Sequence, residues 1–89
     1  MGTCGETYDP SVTGAAAHWE LSCSDGKIRV KGWVEGTFPP DGMCAKVKAR
    51  FASGVTEYSG EVGDPWDKVY FDWAHPGQIA DVYLFEYDC

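Results

Sequence analysis

The stretch Ala17-His18-Trp19-Glu20-Leu21-Ser22-Cys23-Ser24-Asp25-Gly26-Lys27-Ile28-Arg29-Val30-Lys31-Gly32-Trp33-Val34 decides the fold. Asp25-Gly26 is a strong signal for a two-residue type I′ turn, because both central positions need positive φ. Folding the chain about it sets Cys23 opposite Ile28, Leu21 opposite Val30, Trp19 opposite Gly32 and Ala17 opposite Val34. These residues form one apolar face, with the Trp19 ring covering the bare glycine. The other face pairs Ser22 with Arg29, Glu20 with Lys31 and His18 with Trp33. A slip of one residue would turn the whole apolar set toward water, so turn and alternation specify the same register.

Outward from this hairpin, no window repeats apolar residues at helical spacing; short alternating runs are punctuated by Gly, Pro and Asp. They predict strands near 16–23, 27–36, 43–52, 55–61, 67–73 and 78–88, after an N-terminal arm over 1–15 with a short strand near 3–8. Ser53-Gly54 reads as a second two-residue turn. It would place Phe51 opposite Thr56, Ala49 opposite Tyr58 and Ala45 opposite Val62, with Arg50–Glu57, Lys48–Ser59 and Lys46–Glu61 outside. Val69, Phe71 and Trp73 share a face, as do Ala80, Val82 and Leu84, with Tyr83, Phe85 and Tyr87 on the far side of the last strand. Six half-buried strands suit a two-sheet sandwich in a single domain over 1–89. The expected sheets are the first two strands with 67–73, and 55–61, 43–52 and 78–88 in that order.

A chain of 89 residues buries too little surface to be robust without help, and four cysteines can supply it. They admit three pairings. Cys44 and Cys89 both point outward on strands expected to be neighbours, which favours Cys44–Cys89 and leaves Cys4 for Cys23. No C-x-x-C pair occurs, and His18 and His75 lack ligand spacing, so neither metal nor cofactor is expected. An even cysteine count points to an oxidising, extracellular compartment, and Met1-Gly2 reads as a start placed where a leader was removed. No apolar run is long enough to span a bilayer, and a formal charge of -7 argues against nucleic acid as a partner.

The run from Gly42 to Phe51, then Ser53-Gly54 and Tyr58-Ser59, resembles small secreted actinobacterial proteins of immunoglobulin-like β-sandwich fold. So do Gly32-Trp33-Val34 before it and Trp73, Pro76-Gly77 and Val82-Tyr83-Leu84 after it. Some of those proteins are similar to the adaptor subunit of umbrella-shaped toxin particles, which links a lectin to a toxin backbone. The resemblance runs over most of the chain from Lys27 on. It implies a six- to seven-stranded immunoglobulin-like sandwich and an adaptor role. Six strands and two disulfides are also similar to the proteinaceous α-amylase inhibitors of streptomycetes, although the inhibitory Trp-Arg-Tyr tripeptide of that family is absent.

The candidate binding residues are Tyr83, Phe85 and Tyr87 on the last strand, Lys48 and Arg50 beside them, and Trp33 as an outlying anchor. Exposed rings are enriched where proteins meet. The alternative is that the stems of Lys46, Lys48 and Arg50 cover them, and the two are compatible. The basic residues Lys27, Arg29, Lys31, Lys46, Lys48 and Arg50 read as cross-strand pairs before they read as a cationic strip. No Ser/His/Asp, Cys/His or paired-carboxylate arrangement suggests catalysis; His18 reads as a surface residue and His75 as a loop residue. The expected function is a non-catalytic, secreted protein-binding module, an adaptor or structural subunit of an extracellular assembly. Its partner would be another secreted protein, docked on the unguarded edge formed by 78–88. The alternatives are an inhibitor of an extracellular hydrolase, presenting Phe38-Pro39-Pro40-Asp41-Gly42, and a carbohydrate-binding module using the same rings.

Overall fold

A computed structural model describes residues 2–37 and 42–89. Its strands are Gly2–Thr3 (β1), Thr7–Tyr8 (β2), Ser11–Val12 (β3), Ala15–Ser24 (β4), Lys27–Gly36 (β5), Met43–Phe51 (β6), Thr56–Tyr58 (β7), Lys68–Pro76 (β8) and Ile79–Asp88 (β9). One antiparallel sheet runs β2-β4-β5-β8, with β3 also on β4; the other runs β1-β9-β6-β7. The six principal strands thus take the predicted order and form an immunoglobulin-like two-sheet sandwich. The arm resolves into three two-residue strands, and 67–73 extends through Pro76.

The Asp25-Gly26 hairpin has the predicted register throughout, from Cys23↔Ile28 to Ala17↔Val34. Both turn residues have positive φ, 53° at Asp25 and 75° at Gly26, as a type I′ turn requires. Trp19 lies over Gly32, where an added Cβ would come within 1.9 Å of the His18 carbonyl oxygen. The inward residues of this hairpin meet Ala45, Val47, Ala49, Phe51, Val62, Phe71 and Ala80 in one core, with Val69, Trp73, Val82 and Leu84 at its margin.

The second hairpin departs from expectation. Gly54 N–H bonds to the Phe51 carbonyl at 2.9 Å and Phe51 N–H to the Val55 carbonyl at 2.8 Å, so the loop is Ala52-Ser53-Gly54, three residues rather than two. Gly54 has φ +97°, whereas Ser53 is not among the residues with positive φ. A type I turn closed by a left-handed glycine is the usual three-residue solution, and it relieves serine of a conformation it resists. Every β7 pair therefore shifts by one. Lys48 faces Tyr58, Ala49 faces Glu57 and Arg50 faces Thr56, in place of the expected Phe51–Thr56, Ala49–Tyr58, Lys48–Ser59 and Arg50–Glu57 pairs.

The expected register returns at Ala45↔Val62. Between the two registers lies a bulge, with Gly60 and Glu61 opposite Lys46. Ser59 makes the join: its N–H bonds to the Val47 carbonyl, and its buried Oγ accepts the Val47 N–H at 2.8 Å while donating to the Gly60 carbonyl at 2.9 Å. The side chain replaces a ladder carbonyl that the bulge has turned away.

Disulfides join Cys4 to Cys23 and Cys44 to Cys89, spanning 19 and 45 residues. By chain entropy such loops stabilise the fold by about 3 and about 4 kcal/mol. The edge of β9 is not wholly open as expected: Gly2 and Thr3 pair with Ala80 and Ile79. Beyond Ala80, β9 has β6 on one side and, among the described residues, no strand on the other.

Two stability predictions follow from the turns. Ser59→Ala leaves the Val47 N–H buried without its acceptor and should cost about 1–3 kcal/mol, read as a lower urea midpoint at unchanged m-value. At Gly26 an added Cβ would meet no atom of the described residues within 4 Å, so the cost of Gly26→Val is that of the backbone conformation. That cost should be about 1–2 kcal/mol in the same measurement, the usual penalty of a left-handed conformation.

Candidate functional site

β9 and β6 place their outward residues side by side: Lys46 faces Phe85, Lys48 faces Tyr83 and Arg50 faces Asp81. The shifted β7 adds Tyr58 to the same outer face. Phe85 lies at the centre of the rings, with centroids 6.3 Å from Tyr83, 5.8 Å from Tyr87 and 6.4 Å from Tyr58. Of the three basic residues expected to cover them, Lys46 and Lys48 reach the rings, while Arg50 stands between Thr56 and Asp81 in register: the Lys48 amine lies 5.5 Å from the Tyr58 ring centre and 5.8 Å from that of Tyr83, and the Lys46 amine 5.4 Å from that of Tyr87. The covering is partial, since Tyr58 stays 53% exposed and Tyr83 42%. Lys48, Tyr58, Tyr83 and Phe85 line a shallow depression of about 290 Å³.

The electrostatics follow from these neighbours. The phenol oxygens of Tyr83 and Tyr58 hold the Lys48 amine above the ordinary lysine range, so the depression carries a fixed positive charge. Tyr87 donates its hydroxyl proton to the Glu61 carboxylate. Loss of hydration first, then that hydrogen bond and the carboxylate charge, push the Tyr87 phenol up to about 12.

Trp33 is not part of this cluster. It lies on the outer face of the other sheet, between His18 and Tyr70 in register. There it stacks on His18 at 5.8 Å and carries the Lys68 amine 4.4 Å above its ring. Trp33 and Tyr83 therefore face opposite sides of the sandwich and cannot share one flat partner surface. His18 is a surface residue, its Nδ1 2.7 Å from Asp9 Oδ1. His75, expected in a loop, stands in β8: its Nε2 lies 2.9 Å from Glu57 Oε2 and its ring packs edge-on against Phe51 at 4.6 Å. Glu57 reaches it because the register shift turns Glu57 inward.

The expected ion pairs are redistributed accordingly. Glu20 does face Lys31, but Glu57 goes to His75 and Glu61 to Tyr87. The forked salt bridge on the opposite face joins Arg29 to Asp72, whose carboxyl the guanidinium hydrogen bonds hold below the usual carboxylate range. Sequence reasoning missed Tyr58, which a three-residue reading of Ala52-Ser53-Gly54 would have turned outward. Of the loop proposed for inhibition, Phe38, Pro39, Pro40 and Asp41 lie outside the described residues. No protein family, curated protein or solved structure matches the chain.

The Tyr87–Glu61 contact is directly testable. Removing the carboxylate charge in Glu61→Gln should bring the Tyr87 phenol down from about 12 toward the ordinary tyrosine range. It should come down only part of the way, because lost hydration is the larger cause. Alkaline titration of tyrosinate absorbance in the variant, against Tyr87→Phe, reads the shift. The raised phenol adds stability that is complete below the unfolded-state tyrosine pKa and lost as pH rises through the folded one.

Proposed function

We propose that this chain is a non-catalytic protein-binding module, an adaptor or structural subunit of a secreted extracellular assembly, docking through the outer face of β9, β6 and β7. The observation that carries this reading is the ring cluster of Tyr58, Tyr83, Phe85 and Tyr87, threaded by Lys46 and Lys48 and left partly open to water. Aromatic and cationic side chains at the centre of a patch are where protein–protein binding energy concentrates. Lysine stems along the rings keep the face soluble when it is unoccupied, and they can move aside at little cost because their heads stay in water.

The uncovered part of the β9 edge borders the same face, so a partner can engage main chain and rings together. Neighbouring rings are tilted by 36° to 75°. That geometry offers a crevice for a side chain rather than a flat platform for a sugar, which favours a protein partner over carbohydrate. Two disulfides in so small a domain are compatible with an extracellular location. The resemblance to toxin-particle adaptors agrees with this role.

The double variant Tyr83→Ser, Phe85→Ser tests the reading. A partner captured by the wild-type chain from culture supernatant should bind the variant at least about tenfold more weakly, with the fold verified by its melting curve. Full affinity in a correctly folded double variant would remove this face as the docking surface.

A further inference from the structure

Trp66 is 86% exposed and has φ +75°. Both facts are unusual for tryptophan, and they occur in the same residue. The segment Asp64-Pro65-Trp66-Asp67 is a β-turn closed by Asp67 N–H to the Asp64 carbonyl at 3.2 Å. Proline at the second position and positive φ at the third mark a type II turn, whose third position ordinarily takes glycine. An indole there strains the backbone and gains no burial in return. Strain of this kind persists only where the surroundings hold it, and it concentrates at functional sites.

The surroundings do hold it. Asp64 N–H bonds to Asp67 Oδ2 at 3.1 Å, Trp66 N–H to the Gly36 carbonyl at 3.2 Å, and Gly36 N–H to the Asp67 carbonyl at 2.8 Å. Gly36 permits this docking, since a Cβ there would come within 2.0 Å of the Asp64 carbonyl oxygen. The result is a rigid knob, an indole flanked by two exposed carboxylates.

The opposite sheet carries a matching hole. The depression of Lys48, Tyr58, Tyr83 and Phe85 has aromatic walls, a fixed positive charge at Lys48, and about 290 Å³ of space, the scale of a single ring system. Two copies at net charge -7 repel at long range, so a contact between them must bring opposite charges together locally. Seating the knob in the hole does this, placing Asp64 and Asp67 of one copy beside Lys48 of the other. An indole also fills an aromatic crevice with tilted walls better than an aliphatic chain can.

We propose that the chain associates head to tail with a second copy of itself, Trp66 of one molecule entering the Lys48–Tyr58–Tyr83–Phe85 depression of the next. This rests on the docking face described under Proposed function and names its occupant. Each molecule carries one knob and one hole, so the contact is heterologous and propagates as a chain unless it closes into a ring.

Sedimentation velocity from micromolar to millimolar concentration tests it. Wild-type protein should associate as concentration rises. Trp66→Gly should weaken association at least about tenfold while melting no lower than wild type, because glycine suits the turn. Tyr83→Ser, Phe85→Ser should weaken it comparably. Mixing the two variants should restore a complex that stops at two molecules, since only one intact knob and one intact hole remain. Wild type that stays monomeric throughout, association that survives Trp66→Gly, or a mixture that stays monomeric would each overturn the proposal. If a captured partner still depends on Tyr83 and Phe85 in any of those cases, the docking face stands and its occupant is another protein. If association depends on Trp66 but survives Tyr83→Ser, Phe85→Ser, the self-docking contact and that face fall together.

Discussion

The hydrogen bond from Val47 N–H to Ser59 Oγ is the interaction on which the outer face depends. It lets β7 run one residue out of step with the register that resumes at Ala45↔Val62, without leaving a buried amide unpaired. Because strand side chains alternate, that single step exchanges the two faces of β7. Tyr58 goes outward to Phe85 and Lys48, and Glu57 goes inward to His75 on the other sheet. The hole and the Glu57–His75 contact between sheets are two consequences of one bulge.

The rest of the sandwich is built so that this local irregularity is affordable. Hairpin β4–β5 is regular over ten pairs and carries most of the branched core, from Ile28 to Val34. The disulfides tie the arm to β4 and the end of β9 to the start of β6, where a small domain would otherwise fray. Cys44–Cys89 secures β9 against β6 at the end of the aromatic row, which keeps Tyr87 in place near Glu61. The fold therefore stabilises one face through its core and leaves the other available, its rings held in geometry by neighbouring rings and lysine stems.

What was legible in the sequence divides along physical lines. Asp25-Gly26 announces its turn type because both residues tolerate positive φ, and the alternation on either side admits one register. Cysteine parity favours Cys44–Cys89 once strand order is set and leaves Cys4 for Cys23, the pairing the structure has. Ser53-Gly54 is ambiguous by the same logic: serine resists the first position of a type I′ turn, and Ala52 can be drawn into the loop instead. The alternation of Val55 to Tyr58 is too short to expose the error, and Ala45–Val62, correctly paired, concealed it. Tyr58 was lost from the candidate site for that reason. Trp33 reads as an outlying anchor for the Tyr83 face because strand parity reveals which residues are outward but not which of the two outer faces they share. Trp66 follows a proline in a short loop, and no periodic pattern reports on how a turn residue is displayed.

The docking face depends on the side of the sheet to which Tyr58 points. A nuclear Overhauser spectrum of the free, monomeric protein settles this through the neighbours of the Tyr58 ring. The shifted register predicts cross-peaks from the Tyr58 ring to the Phe85 ring and the Lys48 methylenes, and none to the core. Cross-peaks from Tyr58 to core protons such as those of Val47 or Val62, with none to Phe85, would mean that β7 keeps the unshifted register. The depression would then not exist.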